Sequence, residues 1–260
     1  MSDPLRSSRD TIEHGRQRID EFKRESMPYL NSDPYEVVAE TSADGTEDTI
    51  KVKLSRPMPR GLDGIAFDAA NSLRSALDQA ARACAVAGGK PPRNAGFPFG
   101  ETKAEAEARR TGKSRNIPRE MFDFMITHQP YKRSDKPFRG SENVLWCLNR
   151  LANTNKHEFL VPTGIVSGSI EGVFQTRGQI IGDFVWPPEW DASKNEMTIA
   201  RVPHGDRPDF KLKVAFYMAF GEIEGIKGDQ VAGVLNTMVD AVERAIDGID
   251  AEARRIGLFK

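Results

Sequence analysis

The run at 62–87, LDGIAFDAANSLRSALDQAARACAVA, constrains the fold more than any other stretch of this chain. Ala66, Ala70, Leu73, Leu77, Ala80 and Cys84 recur three or four residues apart, which places them on one face of an α-helix. Gly88-Gly89 and then Pro91-Pro92 end it. An apolar stripe of that length needs other elements to cover it, so the spacing predicts helices packed around this one.

Three further segments supply such helices. The polar segment 8–23 carries Ile12, Ile19 and Phe22 at helical spacing, and Pro28 is expected to close it. In ENVLWCLNRLANTN, which Ser141 would cap, Val144, Leu145, Leu148, Leu151 and Ala152 form one face. Near the C-terminus, Val231, Leu235, Met238, Val242, Ala245 and Ile249 alternate in fours and threes, a seam that suits packing along another helix and could close a bundle or a dimer. Between them, KAEAEARR predicts a short charged helix interrupted by Gly112, and PREMFDFMITHQPY a second one that ends before Pro130.

The strand signals lie at the two sides of these helices. PYEVVAETSADGTEDTIKVKLSRPMP reads as two strands around Asp44-Gly45, a dipeptide tolerant of the left-handed backbone that hairpin turns use. FLVPTGIVSGSIEGVFQ, GQIIGDFVW, NEMTIARVP and FKLKVAFYMAF carry β-branched and aromatic residues between Gly, Pro and Asn breaks, the pattern of a four-stranded antiparallel meander. The expectation is a single interleaved α+β domain over 1–260: a bundle of three to four long helices, an N-terminal β-hairpin and a C-terminal antiparallel β-meander.

Composition matters mainly for what it excludes. With 37 basic and 38 acidic residues and an isoelectric point near 6.5, there is no global attraction to nucleic acid or anionic lipid, so function has to come from local constellations. Cys84 and Cys147 fall in apolar helical stretches, where a free thiol behaves as a small hydrophobe, and a reducing cytoplasm is the expected location. MSDPLRSSRDTIEHGRQRIDEF has no apolar signal region, and no segment approaches the roughly 20 apolar residues of a membrane span.

Several familiar sites lack their marks. TGKS at 111–114 ends like a phosphate-binding loop, but Glu107 stands where that loop needs its first glycine, and the preceding residues read as helix. His14, His128, His157 and His204 are scattered and the two cysteines are far apart, so no metal and no cofactor is expected. There is no Gly-x-Ser-x-Gly elbow.

Three constellations remain. RRTGKSRNIPR at 109–119 has five cations and no acid, and YKRSDKPFR follows with four more. Arg109, Arg110, Lys113, Arg115, Lys132 and Arg133 would hold phosphates, with Tyr131 and Phe138 available to stack bases; the plain alternative is a solvated loop. On the long helix Asn71, Arg74 and Asp78 share the edge of the apolar stripe, where they could form a partly shielded polar network or a simple helix-surface pair. Finally, in RLANTNKHEFL, Arg150, Asn153 and His157 fall within about one-sixth of a helical wheel with Trp146 between them, while Asn155 faces inward with Leu148 and Leu151. The plain alternative is a helix end in which Lys156 and His157 complement the dipole.

Arg150 and His157, bracketing six residues at the end of a helix, resemble the motif of the HEPN superfamily, an arginine followed after four to six residues by histidine. That resemblance implies a metal-independent ribonuclease or RNA-binding protein of a bacterial defence or toxin system, with its site assembled across a dimer. His157 would move the proton of the 2′-hydroxyl or leaving group, Arg150 would neutralise the phosphate, and Asn153 would assist. Leu151 stands where the family carries a polar residue. NSLRSALDQAA, FPF, HQPY and LWCLNRLANTNKHEFL together also resemble a broad group of bacterial proteins with Asn-x-x-Arg-x-x-x-Asp on one helix and Asp-Lys-His on another. Asn155 replaces that Asp here, and this resemblance brings no activity with it. Two expectations follow: an RNA-directed ribonuclease acting as a homodimer, or a non-catalytic binding or assembly protein in which Asn71, Arg74, Asp78, Asn155, Lys156 and His157 serve as a structural network.

Overall fold

A computed structural model describes residues 3–134, 142–153, 160–166, 183–184, 190–191, 193–205, 214–221 and 223–260. Among them the chain is a mixed α+β structure. In order it forms α1 (Arg6–Leu30), β1 (Tyr35–Thr41), β2 (Glu47–Leu54), α2 (Leu62–Ala87), α3 (Lys103–Ala108) and α4 (Arg119–Thr127). Then come α5 (Val144–Asn153), β3 (Leu160–Val166), β4 (Asp183–Phe184), β5 (Trp190–Asp191), β6 (Glu196–Pro203), β7 (Val214–Phe220) and α6 (Val231–Arg255).

The long Ala/Leu run is helical over the span its periodicity indicates, and Ala66, Ala70, Leu73, Leu77, Ala80 and Cys84 are all fully buried. α1, α2 and α6 pack pairwise, and α5 packs on α2 and α6. One apolar cluster runs from Leu5 to Phe259, joining these helices to α4 and to the ends of β3 and β7.

α1 is longer than its apolar residues indicate, because it begins at Arg6 and continues through Pro28 to Leu30. A proline in the last turn removes one backbone hydrogen bond. Tyr29 offsets that loss: its ring is buried and its hydroxyl donates to the Arg56 carbonyl at 2.9 Å. The buried stripe is also wider than Ile12, Ile19 and Phe22, since Ser8, Gly15, Ser26 and Tyr29 complete an alternation of fours and threes. Three of those added positions are small, which lets α1 lie close to its neighbour.

The strands stand where β-branched and aromatic residues place them, but their pairing is not sequential. β1 and β2 form the expected hairpin, closed by a 42–46 loop with Gly45 at φ 70°. β2 then pairs with β6, and β6 with β4 and β5, so the N-terminal hairpin and the C-terminal strands share one antiparallel sheet. β3 pairs with β7 instead, in register from Leu160 opposite Phe220 to Val166 opposite Val214. The expected meander is thus divided between two ladders among the described residues. Two small apolar clusters lie along β2 and β6, Ile50 with Ala200 and Val202 in one and Val52 with Met197 and Ile199 in the other, and the register shifts between Ile50 and Lys51.

The seam of α6 is spent inside the chain. Val231, Leu235, Met238, Val242, Ala245 and Ile249 are fully buried against the other helices, so this stripe is not presented to a second copy. Among the described residues no helix is long and apolar enough to cross a membrane. Burial pushes both Cys84 and Cys147 thiols up to about 12, as expected of free cysteines acting as core hydrophobes.

Candidate functional site

Two polar groups that look separate in the sequence meet between α2 and α5. Arg74 Nε donates to Asn149 Oδ1 at 3.0 Å, and the Asn153 amide donates to the same oxygen at 3.0 Å and to the Asn149 carbonyl at 2.6 Å. The Arg74 guanidinium also lies 5.7 Å from the centroid of the Phe99 ring. One turn on, Asp78 Oδ1 accepts the Phe97 amide at 2.9 Å, tying the 97–99 segment to α2. Asn71 is half-buried on the same face of α2. The half-buried residue Asn149 joins Arg74 to Asn153, and the sequence reading passes over it. The signal available was its place beside Arg150 and four residues before Asn153, on the α5 edge that must face α2.

Arg150 is occupied within the fold. Its guanidinium pairs with Glu101 at 3.5 Å and Glu224 at 3.3 Å, and lies 5.2 Å from the centroid of the Trp146 ring. Lys132 approaches the same ring at 5.6 Å and bonds Glu224 at 3.0 Å, while Trp146 Nε1 donates to Glu101 at 2.8 Å. Trp146 is 1 % exposed. The face expected to be outward therefore carries a buried indole, clasped by two cations and two carboxylates that come from four separate segments. Gly225 completes the clasp from the far side: at φ 91°, a Cβ there would stand 2.9 Å from Cys147 Sγ and 3.1 Å from the Trp146 ring. Arg150 keeps 37 % of its side chain exposed, but its charge is already balanced by the two carboxylates. Asn155, Lys156 and His157 lie outside the described residues.

The cationic segment separates into braced and free members. Arg109 Nε donates to the Phe99 carbonyl at 3.1 Å. Arg110 bonds Asp123 at 3.2 Å and lies over the Phe122 ring at 5.6 Å. Arg133 donates to Gln129 Oε1 at 3.0 Å. These three, with Lys132, hold loops to the helical layer. Tyr131 packs against the core cluster and is not free to stack a base, and Phe138 lies outside the described residues. Lys113 and Arg115 are exposed, and no carboxylate among the described residues lies within ion-pair distance of either.

These two free cations belong to a construction of two loops. The Gly96 amide donates to the Lys113 carbonyl at 3.0 Å and the Asn116 amide to the Asn94 carbonyl at 3.1 Å. The Asn116 side chain spans to the Pro91 and Arg93 carbonyls at 3.2 and 2.6 Å, and the buried Ser114 hydroxyl donates to the Gly96 carbonyl at 2.7 Å. The link fixes the 88–96 loop, bearing exposed Lys90 and Arg93, against the 112–118 loop. Lys90 and Arg93 likewise have no carboxylate within ion-pair distance among the described residues. Sequence reasoning misses both, because they are sparse charges in a Gly/Pro-rich stretch that α3 separates from the recognised cluster. Beside the loops opens a cleft of about 720 Å³ lined by Lys90, Arg115, Arg119, Glu120, Ile256 and Leu258. Lys90, Arg93, Lys113 and Arg115 are thus exposed cations carried on one braced pair of loops.

No family model, no curated protein and no solved structure matches the chain. Among the described residues no three His, Cys, Asp or Glu side chains converge as metal ligands.

Proposed function

We propose that this chain is a cytoplasmic RNA-binding protein that grips the phosphate backbone with Lys90, Arg93, Lys113 and Arg115. The observation that carries this reading is the set of hydrogen bonds locking the 88–96 and 112–118 loops together, which holds four unpaired cations in place at little entropic cost on binding. In this reading α1, α2, α5 and α6 act as a helical bundle that holds the loops rigid, and the Arg74, Asp78, Asn149 and Asn153 network is structural. Backbone contacts without aromatic stacking give binding that tolerates sequence and falls steeply with salt. The test is fluorescence anisotropy of labelled single-stranded RNA with wild type and with the fourfold alanine variant at these positions. Equal affinity of the two proteins overturns the reading.

A second reading keeps the metal-independent ribonuclease of a defence system, with Arg150, Asn153 and His157 as its catalytic group. It is supported by the solvent exposure of Arg150 and Asn153 one turn apart on α5. A phosphate would have to displace Glu101 and Glu224 from Arg150, and for that reason we rank it second. Incubating RNA with wild type, Arg150→Ala and His157→Ala in chelator decides it: cleavage abolished by both substitutions supports the nuclease, and absence of cleavage removes it.

A further inference from the structure

We propose that His128 is a pH-sensitive latch: its neutral ring holds the end of α4 against α6, and protonation releases that end together with the 128–132 segment that follows it. The latch is independent of the RNA reading.

The contact is made between a ring and a helix backbone. His128 follows the last residue of α4, and Phe124 stands one turn before it on the same face. The two rings meet edge to face with centroids 5.1 Å apart. Both rest on Gly248 of α6, where a Cβ would stand 3.2 Å from Phe124 Cζ and 3.4 Å from His128 Nε2. The fit closes Nε2 to solvent with no hydrogen-bond partner among the described residues. Buried polar atoms are so regularly bonded that this nitrogen requires an explanation. An apolar side chain would fill the place without stranding a polar atom, so what imidazole adds there is its capacity to take a proton near neutral pH.

The packed contact has no room for that proton. A neutral ring can leave Nε2 as the nitrogen without hydrogen, whereas the imidazolium carries N–H on both nitrogens and a full charge. The carboxylates on the surrounding elements are engaged elsewhere: Asp247 of α6 pairs with Arg9, Glu142 accepts the Ser134 hydroxyl, and Asp123 of α4 pairs with Arg110 and Arg119. Two cations stand near and oppose a further positive charge, since Arg244 of α6 borders the same recess as the ring and Arg133 bonds the adjacent Gln129. Carbonyls at a helix end favour a cation, but those of Met125 and Ile126 already accept the His128 and Gln129 amides. Burial prevails and lowers the His128 pKa from its ordinary value. Above about pH 6.5 neither the packed nor the open ring is protonated, and the latch is at full strength. Below it the open ring takes up a proton that the packed ring refuses, so the packed form loses up to roughly 10-fold in population ratio per pH unit until it titrates as well.

The held segment is short. The amides of His128, Gln129 and Lys132 donate to the carbonyls of Met125, Ile126 and Glu101 at 3.2, 3.0 and 3.2 Å. Gln129, at φ 56°, takes the left-handed position after α4 that glycine or asparagine normally fills, which lowers the cost of opening this turn. Lys132 then reaches Trp146 and Glu224, so release loosens the Trp146 clasp from one side.

The test is amide hydrogen exchange of the full chain followed by NMR from about pH 8 to about pH 5, together with the His128 ring resonances. Protection factors of the His128, Gln129 and Lys132 amides are expected to fall by up to about 10-fold per unit below about pH 6.5 while those within α2 hold, with the ring titrating below its ordinary value. His128→Phe keeps a ring without a proton site, and the pH dependence of the three amides disappears. Gly248→Ala presses on the ring, lowers their protection at neutral pH and returns the His128 titration toward its ordinary value. The proposal is overturned if protection of these amides is independent of pH in the wild type, if His128→Phe retains the dependence, or if wild-type His128 titrates at or above its ordinary value.

Discussion

Gly15 of α1 faces Leu73 of α2 so closely that a Cβ on Gly15 would stand 3.1 Å from Leu73 Cδ2 and 3.5 Å from the Ala69 carbonyl oxygen. α1 and α2 are thus fitted at a position where one has no side chain. Gly15→Ala should gain about 0.5–1 kcal/mol of helix propensity and lose a similar amount to crowding. Its unfolding free energy from urea denaturation is expected to stay within about 1 kcal/mol of wild type. Gly15→Leu cannot be accommodated by a shift of a few tenths of an ångström and should destabilise by about 1–3 kcal/mol or more. A stable Gly15→Leu protein would show that the two helices are free to move apart.

Asp78 has a different kind of partner. Its carboxylate accepts the amide of Phe97, whose ring is 5 % exposed. Asp78→Ala would leave that amide without an acceptor, at a cost of about 1–3 kcal/mol. Asp78→Asn keeps an acceptor oxygen and should cost less. Chemical denaturation of the two variants checks the order.

Where β1, β2 and the turn after β6 meet, Asp48 is 4 % exposed and accepts His204 Nδ1 at 3.0 Å, the Thr41 hydroxyl at 2.8 Å and the Gly205 amide at 3.3 Å. The His204 bond first, then Thr41, lowers its carboxyl from 3.8 to about 2. A carboxylate depressed on folding contributes stability that is present above its unfolded value and lost as pH falls through the folded one. The contribution should therefore hold above pH 3.8 and disappear toward about 2. His204→Ala removes the largest cause, so its acid unfolding should begin at higher pH. Melting temperature recorded against pH for both proteins makes the comparison, and coincident curves would sink it.

For RNA binding, four phosphate contacts on a single strand correspond to a salt slope near 0.7 per contact, which weakens affinity about 50-fold from 50 to 200 mM salt. Removing Lys90 and Arg93 alone should lower the slope by about half as much as removing all four cations. A slope unchanged by any of these substitutions places the RNA elsewhere.

Arg150→Ala should leave RNA affinity unchanged and lower stability, because it strips a cation from both carboxylates and from the face of Trp146. Glu101→Gln should cost less than Arg150→Ala, since the amide oxygen can still accept from Trp146 Nε1. Thermal unfolding of the two variants checks that order.

Most helices were legible because their signals are local. The Ala/Leu spacing of 62–87 and its Gly88-Gly89 stop mark α2, Pro118 and Pro130 bracket α4, and the fours and threes after Val231 mark α6. Ser8, Gly15 and Ser26 escape such a reading because small polar residues look like surface until another helix lies against them. Of the candidate site, Lys113 and Arg115 stood out as part of a charge run. Their companions Lys90 and Arg93 did not, since only the hydrogen bonds between two loops make the four neighbours.

By itself the sequence determined where most of the described helices and strands fall, because periodicity, glycine and proline act within a few residues. The tertiary structure alone decided which strands pair, that α6 spends its seam inside the chain, and that Arg150 is matched to Glu101 and Glu224 while Lys113 and Arg115 are left unpaired. The reason is physical. A charge is available for binding only when no opposite charge is folded against it, and the groups that neutralise Arg150 come from segments far from it along the chain.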